Sequence, residues 1–146
     1  MSRLLGLDVG EKRIGIAISD ETLTLARPLS TLSRASKVED FQKIKLICDQ
    51  NQIDKIVCGL PKTLRNEEGP QAQRVRRYAD QLVAAIGLPI EFWDERFSSV
   101  DAAERLAQAS RKKRVKGDID SAAAAIILQG YLDARRNDQL TMNNEQ

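Results

Sequence analysis

Histidine is absent from this chain, which removes the imidazole that most often serves as a general base near neutral pH and as a nitrogen ligand to zinc. Cysteine is confined to Cys48 and Cys58. Each lies in an apolar stretch, Ile47-Cys48 and Val57-Cys58, and the pair lacks metal-ligand spacing; both are expected to be reduced core thiols of a cytosolic protein. No segment approaches the ~20 consecutive apolar residues of a membrane span, and the N-terminus lacks the long apolar core of a secretory signal. The expectation is a soluble, cytoplasmic protein that does not engage a membrane. No internal repeat is evident, and a length of 146 residues suits one domain with a proper core.

What the chain does contain is acid in apolar surroundings. Asp8 sits in Leu5-Gly6-Leu7-Asp8-Val9-Gly10, Asp94 and Glu95 in Phe92-Trp93-Asp94-Glu95-Arg96, and Asp120 in Gly117-Asp118-Ile119-Asp120-Ser121-Ala122-Ala123. Burying a carboxylate is costly unless it is paired or binds a metal. Carboxylates converging from distant segments suit a divalent cation, and without histidine the hard oxygen donors that remain favour Mg²⁺ or Mn²⁺. The formal charge of +2 combines 23 basic with 21 acidic residues, so the distribution says more than the total. Basic residues gather at Arg74, Arg76 and Arg77, and again at Arg111, Lys112, Lys113 and Arg114 with Lys116. Either run alone reads as a solvated face. Two of them in a small domain that also buries acids favour a polyanionic substrate.

Periodicity supplies the frame for these residues. Over residues 3–20, Leu5, Leu7 and Val9 fall on one face and Leu4, Gly6 and Asp8 on the other; after Gly10-Glu11-Lys12-Arg13, Ile14, Ile16 and Ile18 continue at period two. The pattern predicts a β-hairpin, followed by a third strand near Ala26 to Leu32 that Pro28 assigns to an edge. Val38, Phe41, Ile44, Ile47 and Cys48 predict a helix over 37–51, and 53–59 a short buried strand. Residues 60–69 are polar and rich in turn formers, a surface loop at a strand end. Pro70 opens and Gly87 closes a helix carrying Val75, Tyr78, Leu82 and Ile86. A strand from Pro89 to Trp93, a helix capped by Ser98 or Ser99 and running through Leu106, a mobile basic loop over 109–117 and a last helix from about Asp120 to Arg135 complete the order. The domain is expected to span 1–136, with 137–146 a disordered tail. A hairpin start requires antiparallel pairing, whereas the later alternation requires parallel strands with helical crossovers. An α/β fold with a mixed five-stranded sheet flanked by helices satisfies both.

An acid on the first strand, another at the end of a later strand and a third opening the last helix resemble the ribonuclease H-like fold of nucleases. The local motifs are similar to one family in particular. Gly6-Leu7-Asp8-Val9-Gly10 with Lys12-Arg13-Ile14-Gly15 and Ser19-Asp20, then Gly59-Leu60-Pro61, Gly69-Pro70, Asp94-Glu95-Arg96 and Asp120-Ser121-Ala122-Ala123 resemble, in order, the motifs of the YqgF/RuvX proteins, described as pre-16S rRNA nucleases and as Holliday-junction-resolvase-like. The similarity spans residues 3 to about 134.

That resemblance assigns catalytic and metal-binding roles to Asp8, to the acid pair at 94 and 95, and to Asp120. The chemistry agrees, because in-line attack on a phosphodiester needs an activated water and a stabilised leaving oxygen, and two metal ions about 3.5–4 Å apart supply both. Gly6 and Gly10 are expected to clear space where metal and phosphate approach Asp8. Asp94 and Glu95 face opposite ways if the strand runs through them. Glu95 is preferred as the ligand, since the resembled nucleases commonly use a longer acid here, and Asp94 is then left to hold Arg96; alternatively the pair is a strand end with a structural salt bridge. Asp120 is preferred over Asp118 by its match to Asp-x-x-Ala-Ala, and its alternative role, a helix N-cap, is compatible with metal binding. Lys12 and Arg13 either hold a phosphate or form an ordinary polar turn. Arg74 and Arg77, one helical turn apart, are candidates to track a nucleic-acid backbone together with Arg111, Lys112, Lys113 and Arg114. Trp93 either stacks on a base or fills the core.

The expected function is a metal-dependent endonuclease, by resemblance one that processes the 5′ end of precursor 16S rRNA. The same motifs allow a resolvase of branched DNA, which would cut two symmetric strands and work as a homodimer rather than a monomer. A non-catalytic RNA-binding module of the same fold is a further alternative. Asp8-Val9-Gly10 also fits the phosphate-binding hairpin of actin- and sugar-kinase-type ATPases, but these close a second domain over the nucleotide, which a chain of this length does not supply.

Overall fold

The computed structural model describes residues 2–63, 65–95 and 119–144, with the side chains of the last segment described through Asp138. β1 (Arg3–Val9) and β2 (Arg13–Ser19) form the expected hairpin, and β3 (Ala26–Ser33) pairs antiparallel with β2. α1 (Lys37–Gln50) leads into β4 (Ile53–Leu60), which lies parallel to β1, and α2 (Pro70–Ile86) leads into β5 (Ile90–Asp94), parallel to β4. α3 (Ile119–Asn144) follows. The strand order β3-β2-β1-β4-β5 is the mixed five-stranded sheet that the sequence pattern requires. The helix expected from Ser98 or Ser99 to Leu106 and the basic loop over 109–117 lie outside the described residues.

Local chemistry sets the element ends. Ser36 caps α1, its hydroxyl accepting the Glu39 N–H at 3.2 Å. Pro70 occupies the first turn of α2, where its missing N–H costs nothing, and Gly87 ends that helix in the left-handed region at φ 76° with its N–H on the Val83 carbonyl. Pro28 lies on edge strand β3, and the register slips by one residue between the Ile16–Ser30 and Ala17–Pro28 pairs. α3 passes the limit at Arg135 that its apolar pattern suggests and continues through Asn144; no Gly or Pro interrupts 131–144, and Arg136 bridges back to Asp133 one turn earlier.

The sheet separates two cores. Leu5, Leu7, Ile14, Ile16 and Ile18 face α1 and α2, where they meet Ile44, Cys48, Val75, Tyr78 and Leu82. Leu4, Ala17, Ala26 and Val57 face α3 and meet Ala124, Ala125, Ile127, Leu128 and Leu132. α3 is fastened to the edge of the sheet by buried Gln129, whose amide accepts the Ala26 N–H and donates to the Thr24 carbonyl, both at 2.9 Å. Both cysteines are buried free thiols. Among the described residues no helix is long and apolar enough to cross a membrane.

Candidate active site

Asp8 is half-buried near the C-terminal end of β1, on the face covered by α3. Its partner across the hairpin is Gly15, and opposed residues of an antiparallel pair project to the same side of the sheet. A Cβ at Gly15 would lie 1.8 Å from the Asp120 carbonyl oxygen. The first turn of α3 therefore rests directly on the backbone of β2, and it carries Asp120 in next to Asp8. Asp120 follows Ile119, the first residue of α3, so it sits within the first turn rather than at the cap. Asp118 lies outside the described residues.

Glu95 reaches the same place from β5. It stands one residue past the strand, and its carboxylate occupies the space that a side chain at Gly59 would fill, with Oε1 2.9 Å from where that Cβ would be. Gly59 is one residue beyond the Leu7–Cys58 pair of β1 and β4, which sets it beside Asp8. Asp94 turns to other company: its carboxylate is 8% exposed and lies 3.9 Å from the Lys62 ammonium. The expected pairing of Asp94 with Arg96 falls outside the described residues.

Two of the glycines do not have the role expected of them. A Cβ on Gly6 would come within 2.9 Å of the Leu128 Cβ and 3.1 Å of the Ala124 carbonyl oxygen, so Gly6 admits helix α3 rather than a metal. Gly10 donates to the Arg13 carbonyl at 2.9 Å, and a Cβ there would stand 2.7 Å from that same oxygen; its bareness permits the hairpin turn. The glycines that open the site are Gly15 and Gly59. The available signal was a glycine inside each otherwise apolar, strand-forming run.

The carboxylates load one another electrostatically. Burial raises the Asp8 carboxyl pKa and the Asp120 charge raises it further. Glu95 is pushed up to about 6, first by burial and then by the charges of Asp8 and Asp94. Arg13 offsets part of the load, with its Nε donating to Asp120 Oδ2 at 2.8 Å. Arg13 is thus committed to an acid in this structure, while Lys12 beside it in the turn is exposed. Among the described residues no three acidic or thiol side chains are gathered tightly enough to enclose an ion. The donor set still fits a hard divalent cation in kind, since its donors are all carboxylate oxygens, with Asp8 repelled by Asp120 and repelling Glu95.

Arg74 and Arg77 lie away from the acids. Both border a cleft on the α1/α2 side of β1, where Arg74 bridges to Glu11 at 2.7 Å. Trp93 packs edge-on against Tyr131 at 5.9 Å within the α3-side core, the filling role rather than the stacking one. Arg111, Lys112, Lys113 and Arg114 are outside the described residues.

Residues 2–134 match the sequence profile of the family described as RuvX: Holliday junction resolvase. A relative from Thermoanaerobacter pseudethanolicus, named "Putative pre-16S rRNA nuclease", is 46% identical over 138 residues, covering 92% of this chain and 99% of its own. Another of the same name from Clostridioides difficile is 45% identical, covering 92% and 96%. Among solved structures, T. thermophilus RuvC in complex with a Holliday junction substrate superposes with a TM-score of 0.67 at 14% identity, covering 94% of this chain and 97% of that one. The shared architecture is ribonuclease H-like.

Proposed function

Because the chain belongs to the RuvX Holliday junction resolvase family, we propose that it is a metal-dependent endonuclease hydrolysing phosphodiester bonds, with Asp8, Glu95 and Asp120 as its catalytic, metal-binding residues. The observation that carries this reading is a set of half-buried carboxylates that also repel one another: burial and then the charge of Asp120 raise Asp8, and burial and then the charges of Asp8 and Asp94 raise Glu95. Asp8 on β1 stands within electrostatic reach of Asp120 at the start of α3 and of Glu95 past the end of β5, an arrangement that costs stability unless a cation relieves it. Mg²⁺ or Mn²⁺ bound there would activate the attacking water and stabilise the leaving oxygen. Within the chain, Asp8 and Glu95 supply oxygens from strand ends, which fixes their positions. Arg13 neutralises and orients Asp120 until the site is filled. Lys12, Arg74 and Arg77, with Arg111, Lys112, Lys113 and Arg114, supply contacts to the substrate backbone.

The names of the relatives favour precursor 16S rRNA as the substrate; cleavage at its 5′ end, in the cytoplasm, is the role that the resemblance of the motifs implies. The family's own description favours a second reading, the same chemistry on a four-way DNA junction. The test is parallel incubation of the protein with precursor 16S RNA and a four-way junction, in Mg²⁺, in Mn²⁺ and in chelator. RNA cleavage that needs metal and is lost in Asp8→Asn, Glu95→Gln and Asp120→Asn, each still folded, is the expected result; Asp94→Asn should be milder. Symmetric junction cleavage by a species of dimeric molar mass would move the assignment to branched DNA. RNA binding without cleavage in any metal would overturn the nuclease reading in favour of a non-catalytic module. Mn²⁺ should also raise the melting temperature of the native protein, and Asp8→Asn should remove most of that rise.

A further inference from the structure

On the side of β1 opposite the carboxylates, a cleft of about 320 Å³ opens between the hairpin turn, the entry to α1 and one face of α2. Arg34, Lys37, Arg74 and Arg77 line it, and Glu11 is the acid among the described lining residues. Arg34 is fixed in place twice: it donates to the Gly10 carbonyl at 2.9 Å, and its guanidinium lies 4.7 Å from the centroid of the Tyr78 ring. Arg74 is held by Glu11 at 2.7 Å. Lys37 and Arg77 have no carboxylate partner among the described residues; Glu11 offsets positive potential on one side of the cleft, and the charge of buried Asp40 reaches the Tyr78 wall behind it. The remaining lining differs in kind. Half-buried Val9 offers apolar surface above a floor formed by Val75 and Tyr78, each 3% exposed, and Gln71 and Gln81 offer amides.

A bare phosphate would use the cations and leave most of this volume and all of its apolar lining unused. The volume lies at the lower end of the about 300–1,000 Å³ typical of small-molecule sites. We propose that the cleft is a binding site for a nucleoside phosphate, the phosphate on Lys37 and Arg77 and the nucleoside against Val9 over the floor of Val75 and Tyr78, with the Gln71 and Gln81 amides available to the base edge. Such a group can come from a free mononucleotide or from one nucleotide of a bound strand. The strand is the source we favour, and that choice rests on the nuclease reading above. A strand seated here would cross the turn bearing Lys12 and Arg13 to bring a bond some nucleotides away to Asp8. The subsite lies across the sheet from the chemistry, and it would set which part of the substrate is anchored while another part is cut.

The experiment is a calorimetric titration of the full chain, in chelator so that no cleavage intervenes, with AMP, with inorganic phosphate and with a short single-stranded RNA. Lys37→Ala and Arg77→Ala should each weaken AMP and RNA binding about tenfold, the worth of one charge-assisted contact. Glu11→Gln should tighten both about threefold by freeing Arg74, a gain that a misfolded variant would not produce. Asp54→Asn, at the start of β4 and hence at the opposite end of the sheet, should change neither. Binding of RNA without AMP would support the site with the strand as its source. Phosphate binding as tightly as AMP, or AMP and RNA affinities indifferent to Lys37 and Arg77, would overturn the proposal. These outcomes are separate from cleavage: loss of the subsite leaves metal-dependent cutting at Asp8 to be judged by the Asp8→Asn comparison, and failure of that comparison leaves AMP binding in chelator untouched.

Discussion

On the face of the sheet that meets α1 and α2, β1 and β2 present Leu5, Leu7, Ile14, Ile16 and Ile18; on the face that meets α3, the same strands present Gly6, Asp8, Gly15 and Ala17. Large aliphatic side chains keep helices away from a sheet and supply hydrophobic stabilisation, about 1.5–3 kcal/mol for each one fully buried. Glycine and alanine give little of that. They let a helix come close enough for its backbone to touch a strand, as α3 does over Gly15 and Gly6. The α1/α2 face is thus built for stability, and the α3 face gives up side-chain volume for position: the carboxylates meet where volume has been removed. Substitutions on the two faces should therefore fail in different ways.

The largest effect is expected at Gly15. Even one methyl there would face the Asp120 carbonyl at 1.8 Å, a clash of backbone with Cβ that no rotamer relieves, so the first turn of α3 has to withdraw and take Asp120 with it. Gly15→Val should cost about 3 kcal/mol in denaturant unfolding and abolish cleavage, and Gly15→Ala should already abolish cleavage. A Gly15→Ala protein cutting at the native rate would break the link between close packing and the site.

Leu5→Ala, on the other face, removes a fully buried side chain and should cost about 2–5 kcal/mol. The expected signature is a lowered unfolding midpoint with an unchanged cleavage rate per folded molecule. A matching loss of rate would mean that the two faces are not independent.

The smallest effect is electrostatic and sharpens the comparison. Glu95 titrates at about 6 in the native protein against 4.5 for the unperturbed group, so between those values the folded state binds more protons than the unfolded one. Its contribution to stability is present below about pH 4.5 and is lost as pH rises through about 6, with unfolding free energy falling across that window. Solvent screening keeps the change under about 1 kcal/mol. Stability measured in chelator should show this slope, and Glu95→Gln should flatten it; an unchanged slope would place the titration elsewhere.

Much of the α1/α2 face could be read in the chain. Period-two alternation in β1 put Leu5 and Leu7 opposite Asp8, and Pro70 and Gly87 bounded α2 because a missing N–H and a left-handed φ are properties of single residues. Asp8, Glu95 and Asp120 could be named because acids in apolar runs are conspicuous. The partners of these acids could not. In the sequence Arg13 suits a phosphate contact and a polar turn equally, and its bond to Asp120 joins residues 107 positions apart. Lys62 approaches Asp94 from the loop after β4, a contact that no local pattern shows, while the pairing expected with Arg96 lies outside the described residues. Arg34 and Lys37 belong to no charge run, and only the placement of α2 beside the hairpin turn makes them part of a cleft.

Taken alone, the sequence determined which segments become strands and helices, which side of each strand is apolar, and which carboxylates stand in surroundings where an unpaired charge is costly. Those are consequences of local backbone preference and of periodicity, and they need no knowledge of what lies across the sheet. Only the tertiary structure decided that α3 lies against Gly6 and Gly15, that Asp120 comes near Asp8 while bonded to Arg13, and that four cations gather on the far side of β1. Contacts of that kind depend on how closely two elements approach, which is fixed by the volumes of side chains far apart in the chain, and no local pattern carries that sum.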